Sequence, residues 1–163
     1  NNAQEVPLGN LLQVSDDAFE AGWMSGPLAT FHFMKQCHPF LKGGGKIINL
    51  ASSSALRADS EGYGAYAAVK EAIRALSRTA AVEWGPDSIL VNCIMPLAKS
   101  TGMEWWMNER PEEAAKFVKT IPLGRVGDCK DDIGEAVCHL LSEGMSYITG
   151  STIMIDGGQA FLR

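Results

Sequence analysis

No run of 18 or more apolar residues occurs in the 163 residues, so none of them forms a membrane-spanning helix by length and hydropathy. Basic charge is in short supply: 14 Lys and Arg stand against 19 Asp and Glu, a net charge of −5. That balance, with no basic cluster, argues against a nucleic-acid surface, an anionic membrane or a phosphate-rich ligand patch. Cysteine pairing is missing as well. Cys37, Cys93, Cys129 and Cys138 form no C-x-x-C pair and match no zinc or disulfide framework. Two of them fall in apolar helix or strand stretches and read as buried thiols, which fits a reducing, cytoplasmic setting. His32, His38 and His139 are scattered and read as structural or surface residues rather than ligands, so no metal is expected. The opening Asn1-Asn2-Ala3-Gln4-Glu5 has no basic region ahead of an apolar core, and no signal peptide is read there. Low-complexity tracts and internal repeats are absent too. So is a glycine-rich turn between a strand and a helix: Gly43-Gly44-Gly45 precedes a strand, making it a helix stop rather than a phosphate cradle.

What is present is an ordinary globular composition, 46% hydrophobic and 20% charged, enough for one domain. Apolar spacing predicts a long helix from Asp16 to Leu41, with Ser15 as N-cap, ended by Lys42 and the three glycines. Lys46 to Leu50 is a short, nearly continuous apolar strand. A helix follows from about Gly64 to Trp84 and stops at Gly85-Pro86. Ile89 to Ile94 is a second strand, closed by Pro96. Met103 to Lys119 and Asp131 to Ser142 read as helical, and Thr152 to Ile155 as a third strand before the turn Asp156-Gly157-Gly158. Continuous apolar strands separated by helices imply an α/β fold with a parallel sheet covered on both faces. In such sheets ligands bind beyond the carboxyl ends of the strands. Ser52 lies just past the first strand and Pro96 to Thr101 just past the second, which puts both on one rim.

On the helix that follows the serine cluster Ser52-Ser53-Ser54, Tyr66 and Lys70 stand four residues apart, on one face and one turn from each other. A phenol with its ordinary pKa of about 10 is a poor proton carrier near neutrality. An ammonium one turn away favours the phenolate and is expected to lower that pKa. A nearby serine hydroxyl can hold a carbonyl or alcohol oxygen. Together they make a site for moving a proton on or off that oxygen.

With these residues on one rim, the chain resembles the short-chain dehydrogenase/reductase family, and several motifs follow the family's order. Asn1-Asn2-Ala3 resembles the family's Asn-Asn-Ala-Gly, with Gln4 in place of the glycine. Ile47-Ile48-Asn49-Leu50-Ala51-Ser52 resembles the strand that delivers the catalytic serine. Tyr66-x-x-x-Lys70 resembles the catalytic pair. Val91 through Pro96, with Thr101 five residues on, resembles the segment past the nicotinamide, and Gly150 through Asp156-Gly157-Gly158 the closing strand and turn. The resemblance implies Rossmann-like architecture, here three strands and their helices. It also implies NAD or NADP as cofactor and interconversion of a carbonyl and a secondary alcohol. Tyr66 would be the acid/base, Lys70 its partner and a ligand of the nicotinamide ribose, and Ser52 the substrate-oxygen donor. Ser53 competes for that last role, since counting back from Tyr66 favours it. Asn2, Ala3, Pro96, Leu97, Lys99 and Thr101 would line the cofactor, together with Tyr66 and Lys70.

Several departures accompany the resemblance. Gly26 falls where the family has an asparagine that supports a water feeding the lysine, and Pro27 beside it is expected to kink the helix. Leu97 replaces a glycine. Residues 1–163 correspond to the catalytic, C-terminal half of the domain, without the Gly-rich cofactor half, and the expectation is a chain that belongs to a longer one and binds nicotinamide weakly alone. Thr101 to Met107, with Trp105 and Trp106, falls at the substrate lid and suggests a small apolar carbonyl or alcohol; the same side chains also read as packing residues. Leu76, Ala80 and Trp84 read either as a homo-oligomer face, dimer or tetramer, or as core. A non-catalytic subunit with impaired cofactor binding is the alternative function.

Overall fold

The computed structural model describes residues 1–160 except Ala3, Arg57, Asp59 and Ser60. Among them, β1 (Lys46–Leu50), β2 (Leu90–Pro96) and β3 (Thr152–Ile155) form a sheet in the order β1-β2-β3. Both pairings are parallel, with Ile47 opposite Val91 and Ile94 opposite Ile153. β2 is central, so its residues Val91 to Met95 are all buried, as the unbroken apolar run predicts. The strand runs two residues beyond its expected end. Pro96 can close it because the next ladder bond comes from Leu97, whose N–H donates to Ile155 O at 2.9 Å.

The first helical stretch departs from a single helix in an instructive way. α1 (Asp16–Trp23) starts at Ser15, whose Oγ accepts from Ala18 N at 3.2 Å, and α2 (Ala29–Leu41) ends at the glycines. Between them Met24–Leu28 widens into a π turn with Gly26 and Pro27 buried inside it. Proline has no N–H to give and its ring crowds the preceding turn, and a π turn absorbs both faults without ending the helix. Gly43 and Gly44 then adopt φ of +88° and +136°, which reverses the chain into β1.

α3 (Gly64–Trp84) lies where the periodicity places it. Ala65, Val69, Ile73, Ser77 and Ala81 recur at four-residue steps and are all buried. The expected helix from Met103 to Lys119 is two: α4 (Thr101–Glu109), capped by Ser100, and α5 (Pro111–Val118). Arg110 between them has φ −132° and ψ 62°, because a residue before proline is pushed out of the helical region. The last predicted helix likewise opens as a π turn, Cys129–Gly134, capped by the Asp128 carboxylate, before α6 (Glu135–Leu140).

One core cluster joins Met34, Ile47, Ala80, Ala81, Ile89 and Val91, with Leu41, Leu76 and Trp84 packed against it. Leu76, Ala80 and Trp84 are therefore core in this chain. A second joins Ala51, Ile73, Cys93 and Met95 with Ala55, Leu56 and Met154. Of the cysteines only Cys93 is buried; Cys37, Cys129 and Cys138 are exposed, which corrects the expectation of two buried thiols.

The sheet and α3 are also joined by buried polar groups. Asn49 Nδ2 donates to Ser77 Oγ at 2.8 Å and its Oδ1 accepts from Asn1 Nδ2 at 2.7 Å. Cys93 Sγ donates to the same Ser77 Oγ at 3.1 Å, and Ser77 donates onward to Ile73 O at 2.7 Å. Removing the central acceptor strands a buried amide, at about 1–3 kcal/mol. Ser77→Ala is therefore expected to lower stability by about 1–3 kcal/mol in urea denaturation. Exposed Thr79→Ala on the same helix should stay within about 0.5 kcal/mol of the parent.

Candidate active site

The ladder between β1 and β2 continues one residue past β1, through Ala51 N to Ile94 O at 2.9 Å. The chain then leaves the sheet at Ser52, and Ser53–Leu56 forms a single 3-10 turn. Ser52 Oγ accepts from Ser54 N at 3.2 Å, which fixes the serine side chain at the carboxyl end of β1.

Across from it, Tyr66 and Lys70 follow Ala65 and Val69 by one position each. They are thus rotated about 100° from the buried stripe of α3, toward the strand ends. The Ser52 side chain stands near enough to the Tyr66 phenol to favour its ionised form. Lys70 Nζ donates to Leu50 O at 2.9 Å and lies 5.6 Å from the centre of the Tyr66 ring. Tyr63, the residue ahead of α3, meets the Tyr66 ring edge-on at 6.2 Å. The structure thus brings together Ser52, Tyr66 and Lys70. Of the serines, Ser52 is the one whose side chain bears on the ionisation of the phenol.

Burial sets the electrostatics. Lys70 is 4% exposed, and loss of solvation lowers its pKa from 10.5 to about 8. Burial also raises the Tyr66 phenol above its ordinary 10.0, with the Ser52 side chain acting the other way. The expected lowering of the tyrosine by its lysine neighbour is not what is found: desolvation of the phenolate raises the phenol, and the opposing influence comes from Ser52.

The residues expected to line a cofactor fall along the same rim. Pro96 ends β2, Leu97 is held to β3 through Ile155 O, and Lys99 N donates to Gly127 O at 2.8 Å. Thr101 opens α4 and is exposed, as are Lys99 and Asn2. Ala3 lies outside the described residues. In α4 the two tryptophans part company. Trp106 packs edge-on against Phe117 at 5.8 Å, whereas Trp105 is 66% exposed. A separate cleft lies at the opposite, amino end of the sheet, lined by Lys42, Gly43–Gly45, Lys46 and Ser88. Both lysines are already bonded, Lys42 to Asp87 Oδ1 at 3.1 Å and Lys46 to Leu141 O and Ser142 O at 3.1 and 2.6 Å.

Sequence reasoning passed over Asn49 and Ser77, which tie the site's strand to its helix; a lone asparagine in an apolar strand was the available signal. It also treated Gln4 and Gly26 as separate departures. They touch: a Cβ on Gly26 would come within 2.9 Å of Gln4 Cδ and Nε2.

Three comparisons bear on this geometry. A family model described as Enoyl-(Acyl carrier protein) reductase matches residues 1–160. A 12alpha-hydroxysteroid dehydrogenase from Clostridium sp. is 42% identical over 160 residues, 97% of this chain and 61% of its own length. A 3-oxoacyl-(acyl-carrier-protein) reductase from Chlamydia trachomatis is 40% identical over 123 residues, 75% of this chain and 48% of its own. Among solved structures, levodione reductase superposes with a TM-score of 0.88 at 27% identity, over 98% of this chain and 64% of that one. The chain thus spans about half to two-thirds of the length of these relatives. With the order of its motifs, its parallel sheet and its Ser52, Tyr66 and Lys70 in place, the chain belongs to the short-chain dehydrogenase/reductase family.

Proposed function

We propose that this chain supplies the proton-transfer machinery of a nicotinamide-dependent oxidoreductase that interconverts a carbonyl and a secondary alcohol. The observation that supports it best is the Ser52–Tyr66–Lys70 arrangement at the carboxyl ends of a parallel sheet. In the reductive direction Ser52 Oγ–H holds the substrate carbonyl oxygen. Tyr66 gives its phenolic proton to that oxygen as a hydride reaches the carbon, and Lys70, one turn away, stabilises the phenolate left behind. The reverse direction returns the proton to Tyr66. NAD or NADP supplies or takes up the hydride when bound. The residues proposed to hold it are Asn2, Pro96, Leu97, Lys99 and Thr101, with Lys70 on the nicotinamide ribose and Ala3 proposed from the sequence alone. Exposed Trp105 on α4 offers an apolar surface to the substrate, a small apolar ketone or alcohol. A second copy of the chain is the proposed partner in assembly. No described helix is long and apolar enough to cross a membrane.

A non-catalytic role is the second reading, favoured by the bare Gly26 in the buried π turn. Calorimetry with NADH and NADPH on protein that also carries the Gly-rich cofactor half separates the two: heat of binding supports the enzyme, and silence with both supports the subunit.

In protein that also carries the Gly-rich cofactor half, with 2-decalone as a rigid apolar ketone and NADH or NADPH, Tyr66→Phe should cut kcat by about a hundredfold or more and leave the urea midpoint near that of the parent. Undiminished turnover in that variant would sink the assignment.

Lys70 yields a prediction in pH. Its folded pKa of about 8 lies below its ordinary 10.5, so between those values the unfolded chain holds a proton that the folded chain has released. Stability contributed by this group therefore rises with pH through that window and is at its lowest below pH 8. Lys70→Met is expected to gain on the parent at pH 7. That gain should shrink by about 1 kcal/mol at pH 9, read from urea denaturation at the two pH values. Turnover of the parent should fall above about pH 8 as the ammonium is lost.

A further inference from the structure

Gly22 and Gly26 stand one helical turn apart on the face of α1 and the π turn that meets residues 4–7. Neither tolerates a side chain in place. A Cβ at Gly22 would reach Pro7 Cγ and Cδ at 2.8 and 2.9 Å, and one at Gly26 would overlap the Gln4 carboxamide, most severely its Oε1. Two hydrogen bonds hold the segment in this groove. Glu5 N donates to Ser25 Oγ at 2.8 Å, and Gln4 Nε2 donates to Gly22 O at 3.0 Å as well as to Glu5 O at 2.6 Å. Ser25 Oγ also reaches the Gly22 carbonyl, at 3.5 Å, while its shorter bond goes to Ala21 O at 2.7 Å. The other end of the carboxamide is different: Oε1 is fully buried and has no partner among the described residues. A buried amide oxygen left bare costs about 1–3 kcal/mol, and such acceptors in folded proteins are met by ordered water. The π turn packs directly on α3, the helix of Tyr66 and Lys70. Three residues earlier, Asn1 O accepts from Leu50 N at 3.1 Å, and the Leu50 carbonyl is the acceptor of Lys70.

We propose that Gln4 is a positioning residue of this site: its carboxamide fills the space a side chain at position 26 would take, fixes the π turn against α3, and holds a buried water on Oε1. This rests on the oxidoreductase reading above. Gln4 and Gly26 are then one unit. The glycine is bare because the amide arrives from the other strand of chain, and the amide fits because the glycine is bare.

The test is a double-mutant cycle in protein that also carries the Gly-rich cofactor half, read by urea denaturation and by kinetics with NADH or NADPH and 2-decalone. Gln4→Gly is expected to lower kcat about tenfold, with KM within about twofold, and to lower the urea midpoint. Gly26→Ala, by displacing the carboxamide, should show the same kcat loss in the parent and no further loss in the Gln4→Gly background. Gln4→Gly with Gly26→Asn returns an amide from the opposite side and should recover kcat to within about threefold of the parent. Gln4→Gly with Gly26→Ala fills the space without an amide and should not. Water-to-protein NMR cross-peaks at the Gln4 side-chain amide should show a long-lived water. The proposal is overturned by parental kcat in Gln4→Gly, by an equal Gly26→Ala penalty in both backgrounds, by equal rescue from alanine and asparagine, or by the absence of that water. A parent with no turnover at all would overturn the oxidoreductase reading and the positioning role with it. The stability cycle would then still show whether residues 4 and 26 are coupled.

Discussion

The hydrogen bond from Lys70 Nζ to Leu50 O is the constraint on which the rest of this site depends. A lysine 4% exposed is costly, and its pKa of about 8 measures that cost at roughly 3 kcal/mol relative to water. The residue stays folded into the site because α3 is pinned elsewhere. Val69 and Ile73 on either side of it are buried, and Ser77 is bonded to Asn49 in β1. The helix therefore holds its rotation, and Tyr66 is delivered to Ser52 as a consequence. Slide α3 by one residue and Lys70 meets the apolar stripe while Tyr66 leaves the strand end. Packing energy from the apolar face thus maintains a strained electrostatic arrangement at its edge.

The same dependence explains what the sequence revealed. β1, β2, β3 and α3 were legible almost to the residue, because unbroken apolar runs and four-residue apolar steps are local signals that tertiary packing reinforces. Where a proline intervened, local reading needed one more step. Pro111 splits α4 from α5 through the residue before it, and Pro27 is accommodated by widening the helix rather than by stopping it. The serine–tyrosine–lysine trio was legible as types and spacing, whereas the influence of Ser52 on the phenol depends on side-chain placement that no spacing encodes. The direction of the tyrosine pKa was not legible. Proximity to lysine can be read from a four-residue step, but depth of burial cannot, and burial proved the larger influence on the phenol.

Asn49, Ser77 and the Gln4–Gly26 contact escaped for a related reason. Each joins residues far apart in sequence: Gln4 Nε2 reaches Gly22 across 18 positions and Asn49 reaches Ser77 across 28. An isolated polar residue in an apolar strand, or a glycine inside a helix, signals only that something compensates for it. The compensation itself is a matter of tertiary geometry. Two departures from a motif, read one at a time, look like two losses. In contact, they occupy one another's space.

Burial in this site pushes both of its titrating groups toward neutrality, but by routes that separate them. Lys70 sheds its proton near pH 8, whereas the Tyr66 phenol keeps its own beyond its ordinary 10.0. Below pH 8 the site therefore holds a charged lysine beside a protonated phenol, with the Ser52 side chain favouring the phenolate that burial opposes. A phenol so balanced is a proton donor whose strength depends on whatever else enters the rim. A positive charge arriving beyond β2, near Pro96 to Thr101, adds to the ammonium and tilts the phenol toward release; an apolar group alone deepens the burial and tilts it back. The sheet fixes where the three side chains stand, and on the proposed reading the occupancy of the neighbouring rim would bias which way a proton moves.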